Sequence, residues 1–235
     1  DLTLNSVGAT SGVLVDTTAP IASGIVRIDA NPSNAGSLNF KVTFDEDVSG
    51  VDASDFSLVL GGSAGGSITS VTQIDGRTYA VLVSGVSGTG SIGLDLNNSG
   101  TGIVDTADNA IGGGLAGEAY SVDRDVPSVG SVSVPANGTY VAGQNLDFII
   151  NYSEAVLVDA SGGTPRLAIT LDTGGTVYAS YLSGSGTSAL VFRYTVQSGQ
   201  LDSNGISVGG TLDTNGGTLR DAVGNGASTT LNGVG

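Results

Sequence analysis

Three short patterns occur twice in this 235-residue chain, in the same order and at nearly one spacing. Val15-Asp16-Thr17-Thr18-Ala19-Pro20 returns as Val122-Asp123-Arg124-Asp125-Val126-Pro127, 107 residues later. Phe44-Asp45-Glu46-Asp47-Val48 returns as Tyr152-Ser153-Glu154-Ala155-Val156, offset by 108. Asp105-Thr106-Ala107-Asp108-Asn109 returns as Asp221-Ala222-Val223-Gly224-Asn225, offset by 116. A repeat of this kind restricts the chain to two copies of one structural unit, each of an ordinary domain size. The expected divisions are 16–122 and 123–235, with Val-Asp-x-x-x-Pro at the entrance to each copy.

The pattern within each copy is that of strands. Leu38, Phe40, Val42 and Phe44 alternate with polar residues, as do Leu146, Phe148, Ile150 and Tyr152. Leu190, Phe192, Tyr194 and Val196 form a third series. A period of two places one face of a strand in a core and the other in water. Further strands are expected at 25–30, 78–83, 91–96, 166–170 and 177–182. Asp75-Gly76, Asn137-Gly138 and Gly174-Gly175 mark tight turns, and Gly85–Gly90 reads as a hairpin turn. Helical periodicity is missing; only 51–56 suits a short helical turn. Short strands with turn signals every few residues predict an all-β fold of two tandem immunoglobulin-like Greek-key β-sandwiches. Aromatic core positions are expected at Phe40, Phe44, Phe56 and Tyr79, and at Phe148, Tyr152, Tyr181, Phe192 and Tyr194.

Composition narrows the chemistry. The chain has no Cys, His, Met or Trp. Imidazole and thiol catalysis, disulfides and the usual zinc ligands are therefore all excluded. The net charge is −15, and the seven basic residues are scattered, which leaves no patch for a nucleic-acid backbone. Of the 22 acids only Glu46, Glu118 and Glu154 are glutamate; aspartate belongs to turns and to oxygen-ligand metal loops. No apolar run is long enough to insert in a membrane. Leu4-Asn5-Ser6-Val7-Gly8 echoes Leu231-Asn232-Gly233-Val234-Gly235. Residues 1–15 are accordingly expected to be the tail strand of a preceding module, in a longer tandem array.

In an immunoglobulin-type sandwich the entering linker, the loop after the second strand and the last hairpin loop meet at one pole. That topology gathers Asp16, Glu46, Asp47, Asp105 and Asn109 in the first copy. In the second it gathers Asp123 or Asp125 with Glu154, Asp221 and Asn225. Hard oxygen donors from three separated segments suit Ca²⁺, which takes six to eight oxygens. The competing reading is turn chemistry alone, with Asp and Asn closing their own loops. Glu154 is the favoured single ligand, at the expected end of a buried-face strand. A paired-carboxylate hydrolase is disfavoured, because Asp45, Glu46 and Asp47 are sequence neighbours and not acids across a cleft. Tyr178 and Tyr181 offer a second possibility, a platform for a sugar.

One stretch carries a resemblance. The segment from Asp159 to Leu171, followed by Tyr181–Thr187 and Leu190–Val196, resembles the bacterial immunoglobulin-like repeats of giant surface adhesins. The first copy resembles them through residues 15–20 and 44–52. The resemblance implies an extracellular, type I-secreted extender region like those of RTX adhesins, with Ca²⁺ holding neighbouring modules of one chain in line during cell adhesion or biofilm formation. It implies a monomeric, non-enzymatic spacer. The alternative expectation is a module that binds a surface glycan or partner protein.

Overall fold

The computed structural model describes Gly12 and residues 14–231; the expected tail strand at 1–15 lies almost wholly outside the described residues. The chain forms two compact units, Asp1–Asp123 and Arg124–Gly235.

Unit 1 contains β1 (Ala22–Arg27), β2 (Ser37–Phe44), β3 (Val48–Ser49), β4 (Phe56–Gly62), β5 (Gly65–Asp75), β6 (Thr78–Ser87), β7 (Thr89–Leu96), β8 (Val104–Asp105) and β9 (Leu115–Asp123). A 3-10 turn, Ala53–Asp55, sits where the sequence allows one. Asp52 caps it and Asp55 closes the reciprocal bond, its carboxylate accepting from the Asp52 N–H at 2.7 Å. All ladders among these strands are antiparallel, in one sheet ordered β1-β2-β6-β5, a second ordered β4-β7-β9 and a small β3-β8 pair. This is the four-plus-three arrangement of a constant-type immunoglobulin sandwich. Alternation explains the packing: Leu38, Phe40, Val42 and Phe44 of β2 meet Ile92, Leu94 and Leu96 of β7 in one core. Burying each such side chain contributes about 1.5–3 kcal/mol.

Tyr120 of β9 is a core residue that the strand patterns above do not single out. Its ring is fully buried and meets Phe40 edge-on, with centroids 5.1 Å apart. Its hydroxyl donates to the Asn39 carbonyl and accepts from the N–H groups of Ile28 and Asp29 at 2.7–2.9 Å. One side chain thus ties the last strand of one sheet to the first two strands of the other. The Gly85–Gly90 stretch is not a hairpin turn: β6 and β7 belong to different sheets, and the segment is the corner between them. Gly85 and Gly88 take φ of +66° and +68°, which only glycine adopts without strain.

Unit 2 repeats the plan with β10 (Val129–Ser133), β11 (Asn145–Asp159), β12 (Arg166–Leu171), β13 (Gly175–Ser183), β14 (Thr187–Thr195), β15 (Ser207–Asp213) and β16 (Thr218–Arg220). Here β12 and β13 pair as a hairpin through Gly174-Gly175, both at positive φ. The two layers therefore run on as one curled sheet, β10-β11-β14-β13-β12-β15, with β16 on β11. In unit 1 the equivalent strands β4 and β5 form no ladder. Phe148, Ile150, Leu167, Ile169, Leu190, Phe192 and Leu212 fill the second core. Tyr181 and Tyr194 flank it, half-buried. Glu154 does not end a strand: β11 continues to Asp159, and Glu154 lies at the break in register between Asn151 and Val156. Such an irregularity turns a strand side chain away from the alternating pattern.

Candidate metal centre

In unit 1 the three recurrent segments converge. Asp16 comes from the entering chain, Glu46 from the loop between β2 and β3, and Asp105 from the end of β8. One carboxylate oxygen of each lies within 4.8 Å of the others. They grade from exposed Asp16 through half-buried Glu46 to buried Asp105.

Asp105 is held by its own turn. Its Oδ1 accepts from the N–H groups of Ala107 and Asn109, at 2.7 and 2.8 Å, and its Oδ2 accepts from Asn109 Nδ2 at 2.8 Å. Burial acts to raise the pKa of this carboxyl, but the bonds from the Asn109 side chain, the Asn109 backbone and Ala107 outweigh it and hold the pKa below the ordinary carboxylate value. It stays ionised. Glu46 is pushed the other way, by desolvation first and then by the charges of Asp105, Asp16 and Asp45, against which Arg77 acts weakly.

Asn109 is placed as a positioning residue. Its amide nitrogen faces Asp105, and it also donates to the Asp16 carbonyl at 3.3 Å. Asp47 is drawn elsewhere: its Oδ1 pairs with Arg77 Nε at 3.0 Å, and it is not one of the three converging acids. Asp45 accepts from the Ile21 N–H and so fastens the entering chain to this loop.

Unit 2 reproduces the turn. Asp221 is buried, its Oδ1 accepts from Val223, Gly224 and Asn225, and its Oδ2 accepts from Asn225 Nδ2 at 2.7 Å. Glu154, half-buried, brings one carboxylate oxygen within 4.8 Å of one of Asp221. Asp123 closes β9 in unit 1, where its Oδ1 accepts from Thr89 Oγ1 at 2.9 Å. Asp125 is exposed in the segment that precedes β10.

The donor chemistry fits a hard cation. Carboxylates converge with no nitrogen or sulfur ligand among them, and the chain has no His or Cys to supply one. The tyrosine platform is not formed. Tyr181 packs edge-on against Phe192 with its hydroxyl on the Ser185 N–H. Tyr178 is exposed, but the Arg166 guanidinium lies 4.1 Å from its ring centre.

The fold and site together define a two-unit, immunoglobulin-like all-β chain with an acidic cluster at the entrance to its first sandwich. No protein-family profile matches the chain, and no curated protein matches it. Among solved structures it is similar to the Escherichia coli adhesin FdeC, at 17% identity and a TM-score of 0.44, over 89% of this chain and 63% of that one. It is similar to the S-layer protein SbsC at 14% identity and a TM-score of 0.33, over 92% of this chain and 34% of that one. It is also similar to the Yersinia pseudotuberculosis adhesin InvE at 15% identity and a TM-score of 0.23, over 91% and 58%. The chain therefore spans less than two thirds of each of these structures. The fold assignment rests on the chain's own strand order.

Proposed function

We propose that the chain is a spacer segment of a bacterial cell-surface adhesin, acting outside the cell, and that Ca²⁺ bound at the entrance to each sandwich stiffens it. One observation carries the metal: the convergence of Asp16, Glu46 and Asp105 from three separate segments within 4.8 Å. Turn chemistry accounts for Asp105, whose oxygens are both engaged, and for Asp16, whose Oδ1 accepts from the Thr18 N–H at 2.9 Å, but not for turning the Glu46 carboxylate toward both. Three like charges at that spacing repel, and a divalent ion removes the repulsion. Asp16 belongs to the chain entering the sandwich, so an ion shared by all three ties that chain to the fold. In the second copy the same roles fall to Glu154 and Asp221, with Asp123 or Asp125 as the linker carboxylate and Asn225 as positioning residue. The adhesin setting rests on the resemblance of the repeats. The absence of His and Cys and the low charged fraction, 12%, agree with a spacer and not with an enzyme.

Thermal unfolding in Ca²⁺ and in EDTA tests the proposal. Extracellular sites bind Ca²⁺ with dissociation constants of about 10⁻⁴–10⁻³ M. At roughly 5 mM Ca²⁺ such a site adds about 1–2.5 kcal/mol by mass action, or ~4–12 °C for a sandwich of this size. Glu46→Gln should reduce the shift of the first sandwich, and Glu154→Ala that of the second. Superimposable melts in Ca²⁺ and EDTA would remove the metal from the account.

A further inference from the structure

One sheet edge in unit 1 is open where its counterpart in unit 2 is filled. In unit 2, β12 is paired on both sides, with β13 and with β15. Its counterpart β4 pairs with β7 and stands at the edge of its sheet. Folded proteins guard such edges with charges, proline or bulges. Phe56–Gly62 carries no charge and no proline, and its pairing with β7 runs from end to end without a shift. The other edge strand on this side, β5, is broken by three shifts in register. Val59 and Leu60, at the centre of β4, are 51% and 49% exposed.

Two bonds that flank the β4–β7 ladder fix where its backbone groups point. The Asn97 N–H donates to the Asp55 carbonyl and the Ser63 N–H to the Thr89 carbonyl, both at 2.8 Å. Bonded pairs alternate along an antiparallel ladder. Ser57, Val59 and Gly61 therefore bond to β7, while Leu58 and Leu60 turn their N–H and C=O groups to the open side. Among the described residues no strand meets them there.

We propose that β4 pairs with β4 of a second copy of this chain, antiparallel about a two-fold axis at Val59. In that register Leu58 of each copy stands opposite Leu60 of the other, and all the open N–H and C=O groups of these leucines find partners. Val59 stands opposite Val59 on the outer face, and the leucines meet on the core-facing side. Registers shifted by two residues are poorer. They recruit either Phe56, whose N–H is spent on the Ala53 carbonyl, or Gly62, which takes φ of +66°. Charges do not collide, because Asp55 falls opposite Ser63. The fold accepts such a neighbour, since variable-type immunoglobulin domains carry extra strands on this same sheet. A contact of one strand is of the transient class, and copies crowded on a surface would strengthen it by effective concentration. The net charge of −15 on each copy opposes it, so added salt should favour it. The pairing rests on backbone groups and involves no metal.

The test exploits the absence of cysteine. Val59→Cys and Thr72→Cys variants of the 235-residue chain are oxidised in EDTA and high salt, and disulfide-linked dimer is followed on non-reducing gels. Thr72 is an exposed position on β5. Opposed residues of a pair without backbone bonds have Cα atoms about 4.5 Å apart, within disulfide reach. Val59→Cys should therefore cross-link roughly tenfold faster than Thr72→Cys, or more. Equal rates, or faster linking through Thr72→Cys, would overturn the proposal. Sedimentation velocity supplies a second reading. The unsubstituted chain should gain mass with concentration, Val59→Lys and Val59→Glu should each remain monomeric, and their equimolar mixture should associate again, because opposite charges then meet at the axis. An unsubstituted chain that stays monomeric, or a mixture no heavier than its components, would overturn the pairing.

Discussion

Removing one oxygen atom, in Tyr120→Phe, measures how far a single hydroxyl holds the first sandwich closed. The ring stays against Phe40, so no cavity forms and only hydrogen bonding changes. Three groups lose a partner, but not equally. The Ile28 N–H also reaches the Asn39 carbonyl at 3.1 Å, so those two retain each other. The Asp29 N–H, which bonds the hydroxyl at 2.8 Å, is left bare. The Asp29 position is half-buried, so its donor left without a partner costs about 1–2 kcal/mol, the lower part of the range for a buried group, and weakening of the remaining pair adds roughly 0.5–1 kcal/mol. The expected loss is therefore ~1.5–3 kcal/mol, not three full bonds. A domain of about 110 residues unfolds with an entropy near 0.2 kcal/mol/K, so its midpoint should fall by ~8–15 °C. Calorimetry reads the midpoint, and hydrogen exchange at the Asp29 amide should quicken while that of Val42, in the centre of the sheet, follows only the global change. A fall under about 3 °C, or an Asp29 amide that stays protected, would refute the role given to this hydroxyl. Tyr120→Ala should cost more, ~4–5 kcal/mol, because it opens a cavity in addition.

Other expectations concern the acidic turns. Asp105→Asn should abolish the calcium-dependent shift of the first sandwich, whereas Asp47→Asn should leave it within about twofold in affinity, since Asp47 is engaged with Arg77; isothermal titration separates the two. The pH dependence in EDTA has two limbs. Glu46 holds its proton more tightly in the folded state, so lowering the pH toward 4.5 should add stability, and that gain should be lost as the pH rises through the raised folded value. Asp105 is the reverse, its contribution present above 3.8 and lost as the pH falls through its lowered folded value. Urea unfolding across this range should show the first limb flattened in Glu46→Gln; an unchanged limb would count against the crowding of Glu46. Gly224 takes φ of +102° where unit 1 has Asp108 at +63°. Gly224→Ala should cost roughly 1–2 kcal/mol and Asp108→Gly should be neutral or slightly stabilising, as chemical denaturation would show. The fork between Arg193 and Asp147 is about two-fifths exposed at both side chains, so Arg193→Met should cost only about 0.5–1 kcal/mol and less at high salt.

Much of the plan was legible in the chain because it depends on local rules and on repetition. Alternation in 38–44 and 146–152 reports a half-buried strand wherever it occurs, and Gly-Gly at 174–175 reports a turn needing positive φ. The spacing of Asp105 to Asn109 and of Asp221 to Asn225 is that of a turn closed by its own carboxylate. Repetition of the three landmarks then set the acids of each copy in the same order along the chain. What only the tertiary structure decided is where side chains point once strands are paired. In Asp45-Glu46-Asp47 all three acids are adjacent, yet Asp45 bonds the entering chain, Asp47 turns to Arg77 and only Glu46 meets Asp16 and Asp105. The strand expected to stop near Glu154 runs through a break in register, which depends on its partner β14 and not on its own residues. Tyr120 follows the same rule. Its place beside Val122 and the Val-Asp landmark hints at a buried strand, but its importance comes from residues about 80–90 positions earlier in the chain. Local sequence specifies conformation residue by residue, whereas the direction of a charge and the filling of a core are set by contacts between segments that the chain keeps far apart.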